Sequence, residues 1–348
     1  MERYDRSPPI ENSWFASPRI GKPASASLAS RLRIPSASIH LPFGNIRRLS
    51  NKAILSPRGS GFQSAGTFNP AVVRTTGKFV MLYRAQDHRG TSTLGYATSL
   101  DGIHFLRWPR PVLSPQAPYE KGGGCEDPRL VRFGEKWFLT YTGYNNVDGK
   151  GPSGKDAQLC LAASSDLVHW ERHGVILPAY RGKWNVGWTK SGAIVPAKIG
   201  GKYWMYYLGD ARGHGSQMGL ALSTDLLHWR DALNEPVMRS RAGFFDSQVT
   251  EPGPSPVILP AGIFLIYNGA DDRLVYSTGW ALFDRYNPGR LLARAKTPIF
   301  RAEMTWEKVG QTPNVVFVEG LVRQGTKWIL YYGAADKYVG VAEAVSQS

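Results

Sequence analysis

The chain has 348 residues, of which 42% are hydrophobic and 12% aromatic, and its formal net charge at pH 7 is +15. This content suffices for a packed core, and no apolar stretch is long enough to span a membrane. The two cysteines, Cys125 and Cys160, make no disulfide framework and lie in no metal-binding spacing, so we expect a cytoplasmic protein with reduced thiols. The basic residues are scattered without a nucleic-acid motif, which argues against a nucleic-acid partner.

The N-terminal segment differs in composition from the rest of the chain. Residues 13–42 are rich in Ser, Ala, Pro and Arg and contain no acid. They lack the apolar region of a secretory signal, and the acidic residues that precede them are not typical of a transit peptide. We predict a poorly structured basic extension over 1–44 and one folded catalytic domain over 45–348, with the true start site left open.

The domain is built from a recurring segment. A glycine followed by aromatic and β-branched residues occurs five times, about 60 residues apart, at Gly77, Gly134, Gly201, Gly262 and Gly325. Runs such as 79–83 and 137–141, bounded by Gly, Asp and Asn, are typical of strands, and the glycines before them indicate hairpin turns. Each copy therefore predicts a small antiparallel sheet.

One such sheet cannot bury its apolar face alone. The pattern predicts an all-β fold, a five-bladed β-propeller in which residues 45–57 contribute to closing the ring. An array of β-sandwiches is the alternative architecture.

A second signature follows three of the copies. Asp101, Asp166 and Asp225 each precede a histidine and an aromatic residue, as in Asp-Leu-Leu-His-Trp. A motif repeated in several copies indicates a repeated packing role, in which the aspartate caps backbone amides. We therefore interpret the histidines of these motifs as structural.

The predicted first strand of each copy begins with a polar or charged residue. These residues are Asn69, Asp127, Lys190, Glu251 and Asn314. The innermost strands of a propeller face its axis, so we expect these side chains to converge in one funnel. Two carboxylates held apart with different pKa values suit acid and base roles in carbohydrate chemistry.

Several motifs together resemble glycoside hydrolase family 130. They are Phe68-Asn69-Pro70, Leu82-Tyr83-Arg84, Glu126-Asp127-Pro128-Arg129, Thr140-Tyr141-Thr142, Glu251-Pro252-Gly253-Pro254 and Tyr331 to Asp336. The resemblance covers about 60–345 and implies a five-bladed propeller that attacks β-mannosidic bonds with inversion. It makes Asp127 the general acid, acting through a substrate hydroxyl. It also implies that Arg84, Arg129, Tyr144 and Asp336 line the sugar or phosphate region.

The family contains phosphorylases and hydrolases, which differ in the nucleophile. A phosphorylase holds inorganic phosphate with basic groups, whereas a hydrolase needs a carboxylate base for water. This chain has Asp210 and Glu251 where phosphorylases usually have basic or neutral residues. The hypothesis is an inverting β-mannosidase acting on β-1,2-linked manno-oligosaccharides. Glu251 is then the base and Asp210 helps to place the water.

Other interpretations stay open. A β-mannoside phosphorylase would use inorganic phosphate as co-substrate, transferring the mannosyl group as a glycosyltransferase does and releasing mannose 1-phosphate. A non-catalytic sugar-binding propeller and an arabinanase-like furanosidase are further alternatives. Asp246 is expected to hold a sugar hydroxyl or cap a turn, and Trp184 and Trp188 to stack on sugar or pack between blades. No cofactor, metal or membrane partner is expected, and a homo-oligomer is left open.

Overall fold

The computed structural model of this protein describes residues 42–150, 155–179, 184–211 and 215–346. Within these ranges the regular secondary structure is almost entirely β-strand, which confirms the predicted all-β class. The exceptions are a 3-10 turn over Pro118–Glu120 and one short helix, α1, over Thr305–Lys308. Most of the predicted extension lies outside the described residues, and the domain boundary at 44/45 stays a prediction. No described helix is long and apolar enough to cross a membrane.

The strands fall into antiparallel groups. The first comprises β2 to β5 (Gly66–Thr75, Lys78–Gln86, Ser92–Ser99 and Leu106–Arg107). The second comprises β6 to β9 (Gly122–Phe133, Lys136–Asn145, Asp156–Ser164 and Glu171–Leu177). The third comprises β10 to β13 (Thr189–Ile194, Tyr203–Asp210, Ser216–Ser223 and Trp229–Asp231). The fourth comprises β14 to β18 (Val249–Pro252, Val257–Leu259, Gly262–Ala270, Tyr276–Phe283 and Leu291–Arg294). The fifth comprises β19 to β21 (Val316–Gln324, Lys327–Ala334 and Tyr338–Val345).

The N-terminal end of the described chain completes the last group. Strand β1 (Arg47–Arg48) pairs antiparallel with β21, where Arg47 lies opposite Glu343. Phe43 is fully buried and bridges to Ser346. Arg47, Arg48 and Leu55 thus pair with residues of β21.

Neighbouring groups are joined at the starts of their first strands. A parallel contact, Ser92 opposite Gly124, links the first and second groups, and Ser216 opposite Val249 links the third and fourth. Strand β2 contacts both β6 and β19, and β10 contacts both β6 and β14. The first strands therefore lie next to one another, which brings residues far apart in sequence together.

The repeated glycines and aspartates have the local roles that the sequence predicted. Gly77 and Gly134 sit in tight turns with φ of 80° and 57°, values that glycine adopts without strain. In the second signature, Asp225 Oδ1 accepts hydrogen bonds from the backbone of Leu227 and His228 at 2.9 and 2.8 Å. The ring of His228 bonds Oδ2 of the same aspartate and is otherwise exposed. The structural interpretation of these histidines is confirmed.

In four of the groups a buried tyrosine of the second strand packs against a glycine of the third strand, whereas in the second group Tyr141 lies opposite Cys160. A Cβ at Gly95, for example, would lie 2.3 Å from the ring of Tyr83. In four groups the tyrosine hydroxyl donates to a buried side chain of the loop before the first strand, and an arginine donates to the same side chain. We call these anchor clusters; they are Tyr83–Gln63–Arg107, Tyr141–Glu120–Arg172, Tyr267–Asp246–Arg241 and Tyr332–Glu307–Arg48.

Candidate active site

A cavity of about 310 Å³ opens where the first strands meet. Its lining joins residues from all five groups: Asn69, Arg84, Asp127, Trp188, Lys190, Leu208, Ser216, Val249, Glu251, Leu274, Tyr276, Thr312, Val315, Phe317 and Asp336. Six of the residues predicted from sequence for the site are among them: Asn69, Arg84, Asp127, Lys190, Glu251 and Asp336. The predicted convergence of Asp127 and Glu251 is therefore present.

Backbone bulges set the direction of the polar side chains. Asn69, Asp127 and Ser191 each lie in a bulge of the first strand with positive φ, at 47°, 51° and 57°. A bulge puts two residues opposite one and re-aims a side chain. Non-glycine residues in this region cost of order 1–3 kcal/mol and persist only where the surroundings hold them.

The copies are not equivalent at this position, contrary to the prediction from the repeat spacing. In the third group the bulged residue is Ser191 rather than Lys190, and in the fourth group Glu251 lies opposite Asn268 without a bulge. Asn314 precedes β19 and does not line the cavity. The register differs because β10 bulges one residue later than β2 and β6 do, and β14 pairs with β16 without a bulge.

Three side chains, those of Asn69, Arg84 and Arg129, stabilise the ionised form of Asp127. Asn69 Nδ2 donates to its Oδ1 at 2.8 Å, and Arg84 Nη1 lies 3.3 Å from the same oxygen. Burial alone would raise the pKa of Asp127, but Arg84, Arg129 and the Asn69 hydrogen bond outweigh it and hold that pKa below its ordinary value. Arg84 also forms a short ion pair with Glu126, which is buried behind Asp127.

The pKa of Glu251 is shifted in the opposite direction, upward. Its Oε1 accepts a short hydrogen bond from Ser191 Oγ. Burial raises its pKa, and Arg129 and the Ser191 hydrogen bond only partly counter this effect. The cavity thus holds two carboxyl groups whose pKa values are pushed apart, the arrangement typical of acid and base pairs.

Aromatic and acidic groups complete the cavity. The ammonium of Lys190 lies 5.1 Å from the ring centre of Trp188 and 5.6 Å from that of Tyr144. Asp336, at φ 49°, accepts a 2.6 Å hydrogen bond from Thr312, and burial raises its pKa. Tyr144 does not line the cavity but borders Lys190.

Three further predicted residues lie away from the cavity surface. Asp246 is fully buried in an anchor cluster, where Arg241 and Tyr267 bond its carboxylate, so it braces a loop instead of facing the cavity. Asp210 ends β11 opposite Ser216, and its backbone bonds residues 186–188. Arg129 is buried beneath the cavity and donates to backbone carbonyls.

Sequence reasoning missed several lining residues. Thr312 lines the cavity although the nearby predicted residue, Asn314, does not. Ser191 is absent from the lining and acts by bonding Glu251. Leu274 comes from the loop between β16 and β17, and Tyr276 is the first residue of β17; no motif marks either position. Trp188 faces the cavity, whereas Trp184 packs on Tyr207 with ring centres 6.0 Å apart. Within the described ranges no group of three or more His, Cys, Asp or Glu side chains could hold a metal ion.

An all-β scaffold that gathers paired carboxylates around one cavity is typical of a carbohydrate-active enzyme. Residues 43–347 match the family Glyco_hydro_130, described as beta-1,4-mannooligosaccharide phosphorylase. The chain therefore belongs to glycoside hydrolase family 130 and is an enzyme of that family.

Relatives of both reaction types are similar to this chain. A 1,2-beta-oligomannan phosphorylase of Thermoanaerobacter sp. (strain X514) is 35% identical over 85% of this chain and 96% of its own length. A glycosyl hydrolase structure from Bacteroides ovatus is 35% identical, with a TM-score of 0.76, over 88% of this chain and 96% of that one. Another structure is 37% identical, with a TM-score of 0.77, over 88% of this chain and 97% of that one. It is described as showing that this family of mannoside phosphorylases contains hydrolases that target beta-1,2 mannosidic linkages in Candida mannan.

Proposed function

We propose that this protein is an inverting β-mannosidase that hydrolyses β-1,2-linked manno-oligosaccharides. The observation that carries the proposal is Glu251, a buried carboxyl group that lines the same cavity as Asp127 and has a raised pKa. A base whose pKa lies nearer the operating pH accepts a proton from water more effectively than an ordinary carboxylate does.

The charge of the cavity supports water over phosphate as the nucleophile. Three carboxyl groups, Asp127, Glu251 and Asp336, line it beside two cations. Arg84 is already paired with Glu126 and Asp127, which leaves Lys190 as the cavity cation for which the described residues show ring contacts and no ion pair. A carboxylate about 4 Å from a phosphate oxygen would repel it by roughly 1–4 kcal/mol.

In the proposed reaction, water attacks the anomeric carbon of the terminal mannose and gives a proton to Glu251. The bond from that carbon to the glycosidic oxygen breaks. The oxygen takes a proton that starts on Asp127 and passes through a substrate hydroxyl. One water is consumed, and mannose of inverted configuration and a shortened saccharide are released. Glu251 then loses a proton to solvent and Asp127 regains one.

The lowered pKa of Asp127 constrains this scheme. In the free enzyme Asp127 is mostly ionised, because Arg84, Arg129 and Asn69 stabilise the carboxylate. Substrate in the cavity displaces water from Asp127, and that desolvation favours the protonated form. In this proposal Asn69 and Asp336, which line the same cavity, bond sugar hydroxyls, and Trp188, also in the lining, offers a face for stacking.

We also propose that the five groups are the blades of one propeller, closed by the pairing of β1 with β21. The neighbouring first strands and the shared cavity support this arrangement. A crystal structure tests it: five sheets around one axis support it, and an open stack of sheets contradicts it.

The activity is tested with β-1,2-mannobiose and longer oligomers, with and without inorganic phosphate. We expect mannose at the same rate in both conditions, and NMR of the first product should show the α anomer. Release of mannose 1-phosphate that depends on phosphate would reverse the assignment. That alternative is favoured by the phosphorylase relatives, at 35% and 33% identity, and it would use inorganic phosphate as a co-substrate.

A further inference from the structure

A buried ion pair lies beneath the cavity, between residues that the proposed reaction does not use. Arg129 Nη1 is 3.1 Å from Glu319 Oε1, and both side chains are almost completely inaccessible to solvent, at 1% and 0% exposure. Arg129 follows Asp127 on β6, and Glu319 sits in a bulge of β19 between Val318 and Gly320. The pair therefore connects two of the first strands.

Arg129 also binds the backbone on either side of the cavity. Its Nη1 donates to the carbonyl oxygen of Asp127 at 3.1 Å. Its Nη2 and Nε donate to the carbonyl oxygens of Pro252 and Gly253, at 2.8 and 2.9 Å, directly after Glu251. One planar guanidinium thus fixes the segments that carry both acids, although these lie more than a hundred residues apart in sequence. Lysine has no such rigid fork of donors.

The partner carboxylate is unusual in the described structure. Neither oxygen of Glu319 accepts a hydrogen bond from a described residue, so Arg129 is its compensating contact. Burial raises the pKa of Glu319 well above its ordinary value, and Arg129 opposes that rise. A buried arginine without this carboxylate would leave a full positive charge next to both acids.

We infer that Arg129 and Glu319 form a positioning pair: Arg129 fixes the backbone of Asp127 and Glu251, and the ionised Glu319 balances its charge. This inference rests on the proposed acid and base roles. Neither residue touches the substrate cavity, so neither is a catalytic residue. The other charged or titratable groups that face the two acids are Arg84, Lys190, Glu126, Asp336 and Tyr276.

Two variants separate the two parts of the inference. Glu319→Gln keeps the shape but leaves Arg129 uncompensated, so both limbs of the pH profile of kcat/KM should move toward acid by about one pH unit. Arg129→Lys keeps the charge but loses the fork, so kcat should fall by roughly 10- to 100-fold, with a smaller change in KM and unmoved limbs. The conservative Glu319→Asp variant should recover part of the pH change.

Glu307→Gln provides the matched control. Glu307 is also fully buried and paired with an arginine, Arg48, but it lies in an anchor cluster away from the cavity. This variant should lose stability while keeping the wild-type kcat and pH limbs. All rates are measured well below the unfolding midpoint of each variant, so that misfolding is not read as lost positioning.

The outcomes are distinct. Unmoved pH limbs in Glu319→Gln would show that Glu319 is protonated and balances nothing, which overturns the charge role. A normal kcat in Arg129→Lys overturns the positioning role. Failure of the proposed hydrolysis is distinguishable from failure of the positioning pair. In the first case the wild-type enzyme would release mannose 1-phosphate, and only with phosphate present. The same variants would then be compared in that assay.

Discussion

Buried carboxyl groups occur in two regions of this molecule, and the two regions treat them differently. In the anchor clusters, Glu307 accepts hydrogen bonds from Arg48, Tyr332 and two backbone amides, and these outweigh burial to lower its pKa. At the cavity, burial raises the pKa of Glu251 and Asp336 because their partners compensate only in part.

The difference separates Glu307 from Glu251 and Asp336, whereas Asp127 lines the cavity with a pKa that its partners lower. A fully bonded buried carboxylate stabilises the fold, whereas one that is poorly compensated costs stability and is kept in a reactive state. Residue type alone would have grouped Asp246 with Glu251. Their surroundings assign Asp246 to the first class and Glu251 to the second.

The largest expected effect is on catalysis. Asp127→Asn and Glu251→Gln should each lower kcat on β-1,2-mannobiose by about 100-fold or more, since general acid and base groups contribute 10²–10⁴. Steady-state kinetics measure the change, and far-UV circular dichroism checks that the fold is kept. If Glu251→Gln kept the full rate, Glu251 would not be the general base, and the cavity carboxyl group would not differ in function from those of the anchor clusters.

The next effect is on stability in an anchor cluster. Glu120 accepts bonds from Tyr141, Arg172 and the backbone of Gln116 and Ala117. Removing its charge leaves a buried arginine poorly paired, so Glu120→Gln should destabilise the fold by roughly 3–5 kcal/mol in urea unfolding. Its kcat at a temperature where it is folded should equal that of the wild type. A large loss of kcat in the folded variant would contradict a purely structural role.

A smaller change in stability, an increase, is expected when the cavity residue Glu251 is replaced by glutamine. Because the folded chain raises the pKa of Glu251, the stability from this site is full below the pKa of an unfolded glutamate and is lost as pH rises through the folded value. Glu251→Gln should therefore be more stable than wild type at pH 7, by on the order of 1 kcal/mol, and equal to it near pH 4. Urea midpoints at the two pH values measure this. Equal destabilisation at both would show that Glu251 stabilises the fold like an anchor carboxylate.

The smallest effect belongs to the exposed turns. Hydrogen bonds from the backbone and ring of His228 lower the pKa of Asp225, so its stabilisation is present above the pKa of an unfolded aspartate and is lost as pH falls. Because this turn is largely exposed, Asp225→Asn should cost no more than about 1 kcal/mol at pH 7. Thermal unfolding at pH 7 and at low pH should show that the difference disappears in acid. If Asp225→Asn lowers the stability equally at both pH values, the geometry of the capping side chain stabilises the turn, and its charge does not.

The sequence by itself determined the repeated strands, the glycine turns and the aspartate caps. These follow from short-range rules: alternation along a strand, positive φ at glycine, and the fixed spacing of copies. Only the tertiary structure decided which polar side chains reach the cavity. A bulge of one residue changes the direction of a side chain, as at Ser191. Contacts between distant segments place Arg129 beneath the cavity and Asp246 in an anchor cluster. Such contacts join residues that no local pattern relates.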